Sequence, residues 1–497
     1  MSEIKWTALS VFLFFFLLVT VLGFVASRWN SKDSKGVGST LDEWGLGGRQ
    51  FGAWITWFLV GGDFYTAYTV IAVPALVYAV GAYGFFALPY TILVYPFIYK
   101  VMPKLWQAAH ERGCVTAADY VYDRYTDRRL EYAVAITGLL ATMPYIALQL
   151  VGMEVVLKAM GLHGEMPLII AFLILAFYTY SSGLRAPALI AFVKDVMIYI
   201  VVIAAVILIP IKLGGYAAVF AAASTAFASK GGATGTLLQP GQLLPFATLA
   251  LGSAFAAFMY PHTMTGVLAA KNADVVRKNA IFLPAYTILL GMIALLGLMA
   301  LAAGIKPENP TEVVPLLFNR IFPEWFSGFS FAAIAIGALV PAAVMSIGAS
   351  SLFTRNLWKP LVNPNLTPAG EAQTAKIVSL VVKFGALACI VGLPTKFAID
   401  LQLLGGVWML QIFPAVVCGL FMKRVHTGGL FWGWLAGAVF GTTLAFSSGI
   451  LKPVYGVVIG GETYSVYIGL LALALNLVIT FAATVISPSK ANQSRFA

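Results

Sequence analysis

The sequence predicts an all-α polytopic membrane protein with about thirteen transmembrane helices and a core of two inverted five-helix repeats. Of its 497 residues, 60% are hydrophobic and 10% are charged, and the mean hydropathy is +0.89. This composition excludes a soluble globule with a single core. Two of the apolar runs are interrupted at matching places, which is typical of an inverted-repeat transporter.

Thirteen apolar runs are long enough to cross a bilayer, which takes roughly 20 residues. They lie at about 6–27, 53–80, 83–106, 129–161, 166–185, 187–212, 243–270, 277–304, 326–358, 371–393, 396–422, 427–450 and 464–487. The first run is expected to be a retained helix rather than a signal peptide, because its positive charges follow it.

Lysines and arginines are divided unevenly between the connections. Twenty-one lie on one predicted side and eight on the other. The protein is expected in the cytoplasmic (inner) membrane. By the positive-inside rule, its N-terminus is expected outside the cell and its C-terminus in the cytoplasm. The same asymmetry accounts for the net charge of +11, so no nucleic-acid partner is expected.

The runs divide the chain into four parts. These are an extra N-terminal helix with a cytoplasmic loop (1–52), a first five-helix repeat (53–212), a second, inverted five-helix repeat (243–422), and two C-terminal helices with a short tail (423–497). The connection at about 213–242 is rich in Gly, Ala, Ser and Thr, and we expect a partly ordered loop there.

The first repeat opens with an interrupted run, AWITWFLVGGDFYTAYTVIAVPALVYA, which contains Gly61, Gly62 and Asp63. A carboxylate inside the bilayer costs at least a few kcal/mol, and glycines allow a helix to unwind and expose carbonyl groups to an ion. We therefore predict half of a site for a coupling ion and a small solute. The alternative is that Asp63 only caps the second half-helix.

The second repeat opens with a matching interruption, LGSAFAAFMYPHTMTG, which contains Gly252, Pro261, His262 and Gly266. Gly and Pro are common in membrane helices, so one such break alone carries little weight. Two breaks at matching positions, with Asp63 at one and His262 at the other, favour a binding site.

Four segments resemble the sodium:solute symporter family in the order expected. They are LGGRQFG at 46–52, TAADYVYDRY at 116–125, GLRAPALIAFVKD at 183–195 and YPHTMTGVLAAKNADVVRKNA at 260–280. The resemblance implies a LeuT-like fold with ten core helices and secondary transport by alternating access. Within the family, WITWFLVGGDFYTAYTVIAVPALVY and LFTRNLW are most similar to bacterial monocarboxylate permeases, which take up lactate, pyruvate and related acids.

The resemblance also implies ion ligands. Sodium would contact the carbonyl oxygens of Gly61 and Phe64, and Asp63 would match a sodium-linked carboxylate. The hydroxyl pair of the eighth core helix falls on Val340 and Pro341, so Ser346 is the nearest hydroxyl. Either the helix shifts so that Ser346 completes a Na+ site with Gly61 and Phe64, or the sodium site is incomplete, which leaves proton coupling through Asp63 or no tight coupling. Na+ or H+ is thus the expected coupling ion, and no other cofactor is expected.

Three further charged positions have competing interpretations. Asp195 matches a residue that serves a second sodium site in some family members, but with Lys194 it could also form a solvated charge pair. Glu154 could belong to a relay, but a surface pair with Lys158 at i,i+4 is favoured. Lys383 is expected to extend its side chain toward the cytoplasm.

Five residues are candidates for contacting the solute: Tyr68, Gln149, Tyr260, His262 and Gln411. No arginine lies at mid-membrane, so the N-termini of the half-helices would supply the positive field for a carboxylate. Each candidate could instead form a hydrogen bond that holds the helices together, and this alternative is favoured for both glutamines.

The predicted function is import of a short-chain monocarboxylate with a cation. Alternatives are symport of an amino acid such as alanine or proline, or of pantothenate, and an uncoupled receptor or channel. An enzyme is not expected, because His, Asp and Glu do not cluster at one membrane face, and the three distant cysteines are interpreted as structural thiols. The expected partners are the solute and the lipid bilayer, with no obligatory protein partner evident.

Overall fold

The computed structural model describes residues 3–26, 40–229, 234–392, 404–447 and 452–486. Its helices are α1 Trp6–Val25, α2 Leu41–Leu46, α3 Ala53–Phe64, α4 Ala67–Val80, α5 Ala87–Glu111, α6 Ala117–Tyr125, α7 Arg128–Ala159, α8 Met166–Ser182, α9 Arg185–Lys212, α10 Tyr216–Ala228, α11 Leu243–Ala257, α12 Pro261–Leu268, α13 Ala273–Phe282, α14 Pro284–Ala302, α15 Val313–Ile321, α16 Glu324–Phe353, α17 Pro368–Gly392, α18 Leu404–Phe421, α19 Thr427–Ser447 and α20 Ile468–Ile486. The two strands are β1 Val454–Ile459 and β2 Glu462–Tyr467.

This architecture confirms the predicted class of helical membrane protein. In the described ranges, nine helices are long and apolar enough to cross a membrane, or up to ten if the bent pair α11 and α12 is one span. The predicted number of thirteen is not confirmed. The expectation of a loop at 213–242 is corrected by α10, a 13-residue apolar helix. Alanine, the strongest helix former, supplies much of its sequence.

A β-hairpin between α19 and α20 is absent from the sequence-based prediction. Its strands pair antiparallel, with Ile459 opposite Glu462. Gly460 and Gly461 connect them, both with positive φ, as a type I′ turn requires. The sequence signal for this hairpin consists of β-branched and aromatic residues on either side of Gly-Gly, but its position between two spanning runs is equally typical of a connecting loop.

The first interrupted run forms α3 and α4, and its break lies later than predicted. Helix α3 continues through the predicted break at 61–63 and ends at Phe64. Tyr65 and Thr66 separate the two helices, and the Thr66 side chain accepts a hydrogen bond from the Thr69 amide. Thr66 therefore caps α4, and the cap fixes the position of the break.

The two glycines before this break allow close packing. A Cβ atom at Gly61 would lie 2.2 Å from the Tyr286 ring, and one at Gly62 would lie 2.6 Å from Lys194 Nζ. Larger residues would displace both neighbours. These glycines thus bring α3 close to α9 and α14 instead of unwinding the helix.

The second interrupted run forms α11 and α12, which are bent by 50°. Tyr260 is extended, Pro261 occupies the first position of α12, and no side chain caps this helix. Proline suits that position because its φ is fixed near the helical value. The first N–H groups of α12 have no acceptors within the helix, so this N-terminus is available to other groups.

Helix α16 forms the centre of the bundle, and every residue from Ser330 to Leu352 is buried. Helix α1 packs closely on it, because a Cβ at Gly328 would lie only 2.2 Å from the Ala8 carbonyl oxygen. Small residues at such crossings let membrane helices approach each other. The extra N-terminal helix is therefore packed against the core helices.

Candidate functional site

Asp63 faces the start of α12 across the two breaks. Its side chain is buried, with 7% of the residue exposed. Thr263 Oγ1 donates a hydrogen bond to Asp63 Oδ2 at 3.4 Å, and His262 Nε2 lies 3.5 Å from the same oxygen. Asp63 Oδ1 has no hydrogen-bond partner among the described residues. The carboxylate therefore does not cap α4, a role that Thr66 takes, but contacts the opposite break.

A cavity of about 130 Å³ opens beside Asp63. The rings of Tyr145 and Tyr260 each lie 5.3 Å from the His262 ring. Pockets for drug-sized ligands usually measure roughly 300–1,000 Å³, so this cavity suits a solute of few atoms. Polar residues in its wall include Asp63, Thr69, Tyr145, Ser253, Tyr260 and His262.

Lys194 and Asp195 of α9 lie against the break between α3 and α4. Lys194 Nζ donates hydrogen bonds to the carbonyl oxygens of Gly62 at 2.6 Å and Tyr65 at 3.2 Å, and it lies 3.0 Å from Asp195 Oδ1. Tyr286 donates a hydrogen bond to Asp195 Oδ2 at 2.6 Å. The Lys194 side chain is fully buried and that of Asp195 is 1% exposed, so the interpretation as a solvated pair is wrong.

The predicted sodium ligand Ser346 faces α17. It donates a hydrogen bond to the Ala343 carbonyl at 2.8 Å, and Ser379 lies 3.4 Å from its hydroxyl. Lys383 donates to Ser379 at 2.6 Å and is fully buried. The expected extension of Lys383 toward the cytoplasm is therefore wrong, because its ammonium group is bonded inside the bundle.

The two glutamines do not line the cavity. Asn476 of α20 donates hydrogen bonds to the carbonyl oxygen and to Oε1 of Gln411, at 2.9 and 3.3 Å, which is the helix-holding role named as the alternative. Gln149 Nε2 donates to the Tyr145 carbonyl at 3.4 Å. The side chains of Phe64 and Tyr68 lie outside the described part of the structure, and their roles stay predictions.

Several residues of this region were not predicted. Thr263 and Tyr145 join Asp63 and His262 at the cavity, and Tyr286 joins Asp195. Lys194 carried a signal, since an ionisable residue within a spanning helix is by default a candidate for function. Tyr286 carried none, because nothing local distinguishes it from other aromatic residues of apolar runs.

No group of three or more His, Cys, Asp or Glu side chains that could hold a metal is found in the described ranges. Cys114 and Cys418 are buried and form no disulfide. Burial raises the pKa of the Cys114 thiol to about 12, so this thiol stays protonated and unreactive at neutral pH.

A buried polar network joins α6, α7 and the π-helical turn Thr354–Trp358 that follows α16. Asn356 accepts a hydrogen bond from Thr116 at 2.7 Å and donates to Asp119 at 2.7 Å and Glu131 at 2.9 Å. Asn356 is completely buried. The segment 116–125, one of those that carried the family resemblance, is thereby fixed to the central helix.

Comparison with known proteins gives consistent matches. The profile of the sodium:solute symporter family matches residues 44–437. A monocarboxylate transport permease protein of Rhizobium johnstonii is 64% identical over 491 residues, which cover 99% of both chains. An uncharacterised symporter of Bacillus subtilis is 34% identical over 487 residues, covering 95% of this chain and 92% of that one.

Among solved structures, a Na+-coupled sialic acid symporter in a substrate-bound outward-open state is similar in fold. The TM-score is 0.78 at 15% sequence identity, and the match covers 97% of this chain and 98% of that one.

Proposed function

Because this chain belongs to the sodium:solute symporter family, we propose that it imports a short-chain monocarboxylate such as lactate or pyruvate with a cation, Na+ or H+, by alternating access. The name of the Rhizobium johnstonii relative supports the solute class. Membership of a sodium-coupled family supports Na+ as the coupling ion. The family and these relatives are transporters, which argues against an enzyme.

One observation carries this proposal: both broken helices contribute polar groups to the same small cavity. Asp63 comes from the first break, and His262 and Thr263 come from the second. In transporters built from inverted repeats, solute and ion bind where two broken helices meet near mid-membrane. The proposed site for the solute is therefore this cavity.

The start of α12 supplies hydrogen-bond donors and a positive electrostatic field for a carboxylate. Its uncapped N–H groups and the positive end of its helix dipole favour a negative charge. His262 is the second residue of α12, is 3% exposed, and has no hydrogen-bond partner for Nδ1 in the described structure. An imidazole and free amides at one helix end can together donate hydrogen bonds to both carboxylate oxygens.

Asp63 makes an accompanying cation necessary for an anionic solute. Two like charges about 4 Å apart repel by about 4 kcal/mol at an effective dielectric constant of 20. A proton or a metal ion that enters with the solute would offset this repulsion. This electrostatic argument supports coupled transport over an uncoupled channel or receptor.

An amino acid such as alanine is a second candidate solute. Its carboxylate would use the same helix N-terminus, and its ammonium group would pair with Asp63, whose Oδ1 has no partner among the described groups. A competition assay between alanine and lactate would rank the two. Stronger inhibition by alanine than by unlabelled lactate would favour the amino acid.

The main test is uptake of labelled lactate and pyruvate into proteoliposomes, with sodium and proton gradients imposed separately. We expect accumulation with one of the two gradients and rapid exchange without either. Uptake that ignores both gradients would contradict coupling, and the absence of exchange would contradict the solute class. We further propose an outside N-terminus and a cytoplasmic C-terminus in the inner membrane, as the charge asymmetry predicts.

A further inference from the structure

We propose that the ammonium group of Lys194 occupies the place of a bound cation at the break between α3 and α4. The protein therefore needs no sodium ion at this break. The inference rests on the proposed function, because it concerns the cation that would accompany the solute. It refines the expectation, drawn from the family, that backbone oxygens of the first broken helix bind sodium.

The first argument is geometric. A cation at a helix break is held by oxygen atoms, and Lys194 Nζ has three within 3.2 Å: the carbonyl oxygens of Gly62 and Tyr65 and Oδ1 of Asp195. An ammonium group has three N–H donors. Two of these donors bond the carbonyl oxygens, while Asp195 Oδ1 contacts Nζ as an ion pair and has no hydrogen-bond partner, so one positive charge already lies among the three oxygens.

The second argument is electrostatic. Lys194 and Asp195 are both buried, and a buried ion pair is stable only when its remaining polar atoms are well bonded. Tyr286 donates to the second oxygen of Asp195, so the carboxylate is held from two elements. A sodium ion added here would place a second positive charge beside the ammonium group, and the other carboxylate of this region, Asp63, contacts the start of α12 instead.

The third argument is steric. There is no room beside the ammonium group on the α3 side, since even a Cβ at Gly62 would lie 2.6 Å from Nζ. On the opposite side, α16 approaches the start of α4 at Gly337, where a Cβ would lie 3.8 Å from the Ala67 nitrogen. Gly337 offers no hydroxyl ligand, and Ser346 bonds to the α17 side instead.

The first test compares sodium with potassium. We would measure the thermal unfolding midpoint of the purified full-length chain in sodium chloride and in potassium chloride at equal ionic strength, and lactate exchange in the same salts, for the wild type and for Asp63→Asn. We expect no shift in the midpoint of Asp63→Asn and no sodium requirement for its exchange. A sodium effect that persists in Asp63→Asn would overturn the proposal, whereas a sodium effect that is lost in this variant would locate sodium at Asp63 and support Lys194 as the cation of the break.

The second test removes the ammonium group with Lys194→Ala. We expect its unfolding midpoint to fall by several degrees and to recover with propylammonium chloride, which matches the deleted atoms, but not with choline chloride. Lys158→Ala, which removes a half-exposed lysine paired with Glu154, is the matched control and should show no such recovery. Failure of propylammonium to stabilise Lys194→Ala would contradict the role of Lys194.

These outcomes separate the inference from the proposed function. The unfolding measurements contain no solute, so they report on the break even if lactate and pyruvate are not transported. If Lys194→Ala does not fold, the sodium comparison between the wild type and Asp63→Asn still decides the question. Absence of exchange for every short acid would overturn the solute class and leave the assignment of Lys194 standing.

Discussion

His262 Nε2 lies 3.5 Å from Asp63 Oδ2, which brings the break of the second repeat against that of the first. The two residues come from helices whose own directions change at this point. Their contact therefore depends on how α3 and α12 sit relative to each other. Motion of one broken helix against the other would alter this contact and the cavity beside it, which is what the proposed alternating access would need.

Replacing His262 should weaken solute binding. In His262→Ala the cavity loses a donor to a charged group, which is worth roughly 1.5–3 kcal/mol, and a change of 1.4 kcal/mol is about tenfold in affinity. We expect the KM for lactate to rise about tenfold or more. His163→Ala, in an exposed connection, is the control. Equal KM values in the wild type and His262→Ala would place the solute elsewhere.

Replacing Asp63 should separate coupling from binding. Asp63→Asn keeps the shape of the side chain but removes its charge, so the repulsion that favours a co-transported cation is lost. We expect exchange of labelled lactate to persist while accumulation against a gradient disappears. Asp274→Asn, whose side chain is 74% exposed, should behave as the wild type. Full accumulation by Asp63→Asn would show that another group couples the cation.

The class of fold and the two interrupted runs could be predicted because their signals are local. Hydropathy identifies spanning runs, and Gly, Pro and charged residues inside them mark interruptions. The position of the first break could not be predicted, because Gly61 and Gly62 are the stronger helix-breaking signal in the sequence. The observed break depends instead on the cap that Thr66 forms for α4. Those glycines are explained only by the side chains of α9 and α14 packed against them.

Part of the candidate site could also be predicted, because some of its residues have local signals in the sequence. Three of the predicted residues lie next to helix breaks that the sequence indicates, and all three line the cavity: Asp63, Tyr260 and His262. The environment of Lys194 depends on which face of α9 packs against α3, and the hydropathy of the run does not encode that face. The same holds for Lys383, whose partner Ser379 is on its own helix but faces α16.

The glycine beside Tyr286 should not tolerate a side chain. In Gly61→Ala the new Cβ would lie 2.2 Å from the Tyr286 ring, and this ring packs on Trp57 and Tyr65. Overpacking of this kind costs roughly 1–3 kcal/mol. We expect a lower unfolding midpoint and slower uptake. Gly52→Ala, where a Cβ meets nothing within 4 Å, is the control, and equal midpoints for the two variants would refute the packing argument.

The network around Asn356 should be essential for stability rather than for solute affinity. Asn356→Ala leaves the side chains of Asp119 and Glu131 without their amide donor, and Glu131 is 2% exposed. Glu131 keeps its ion pair with Arg128 and Asp119 keeps its ion pair with Arg355, so the loss is that of hydrogen bonds to charged groups, about 2 kcal/mol. We expect the free energy of unfolding in detergent to fall by about that amount, while the KM of the remaining folded protein stays unchanged. Asn363→Ala, at an exposed position, provides the matched control. A raised KM with unchanged stability would instead connect this network to the solute site.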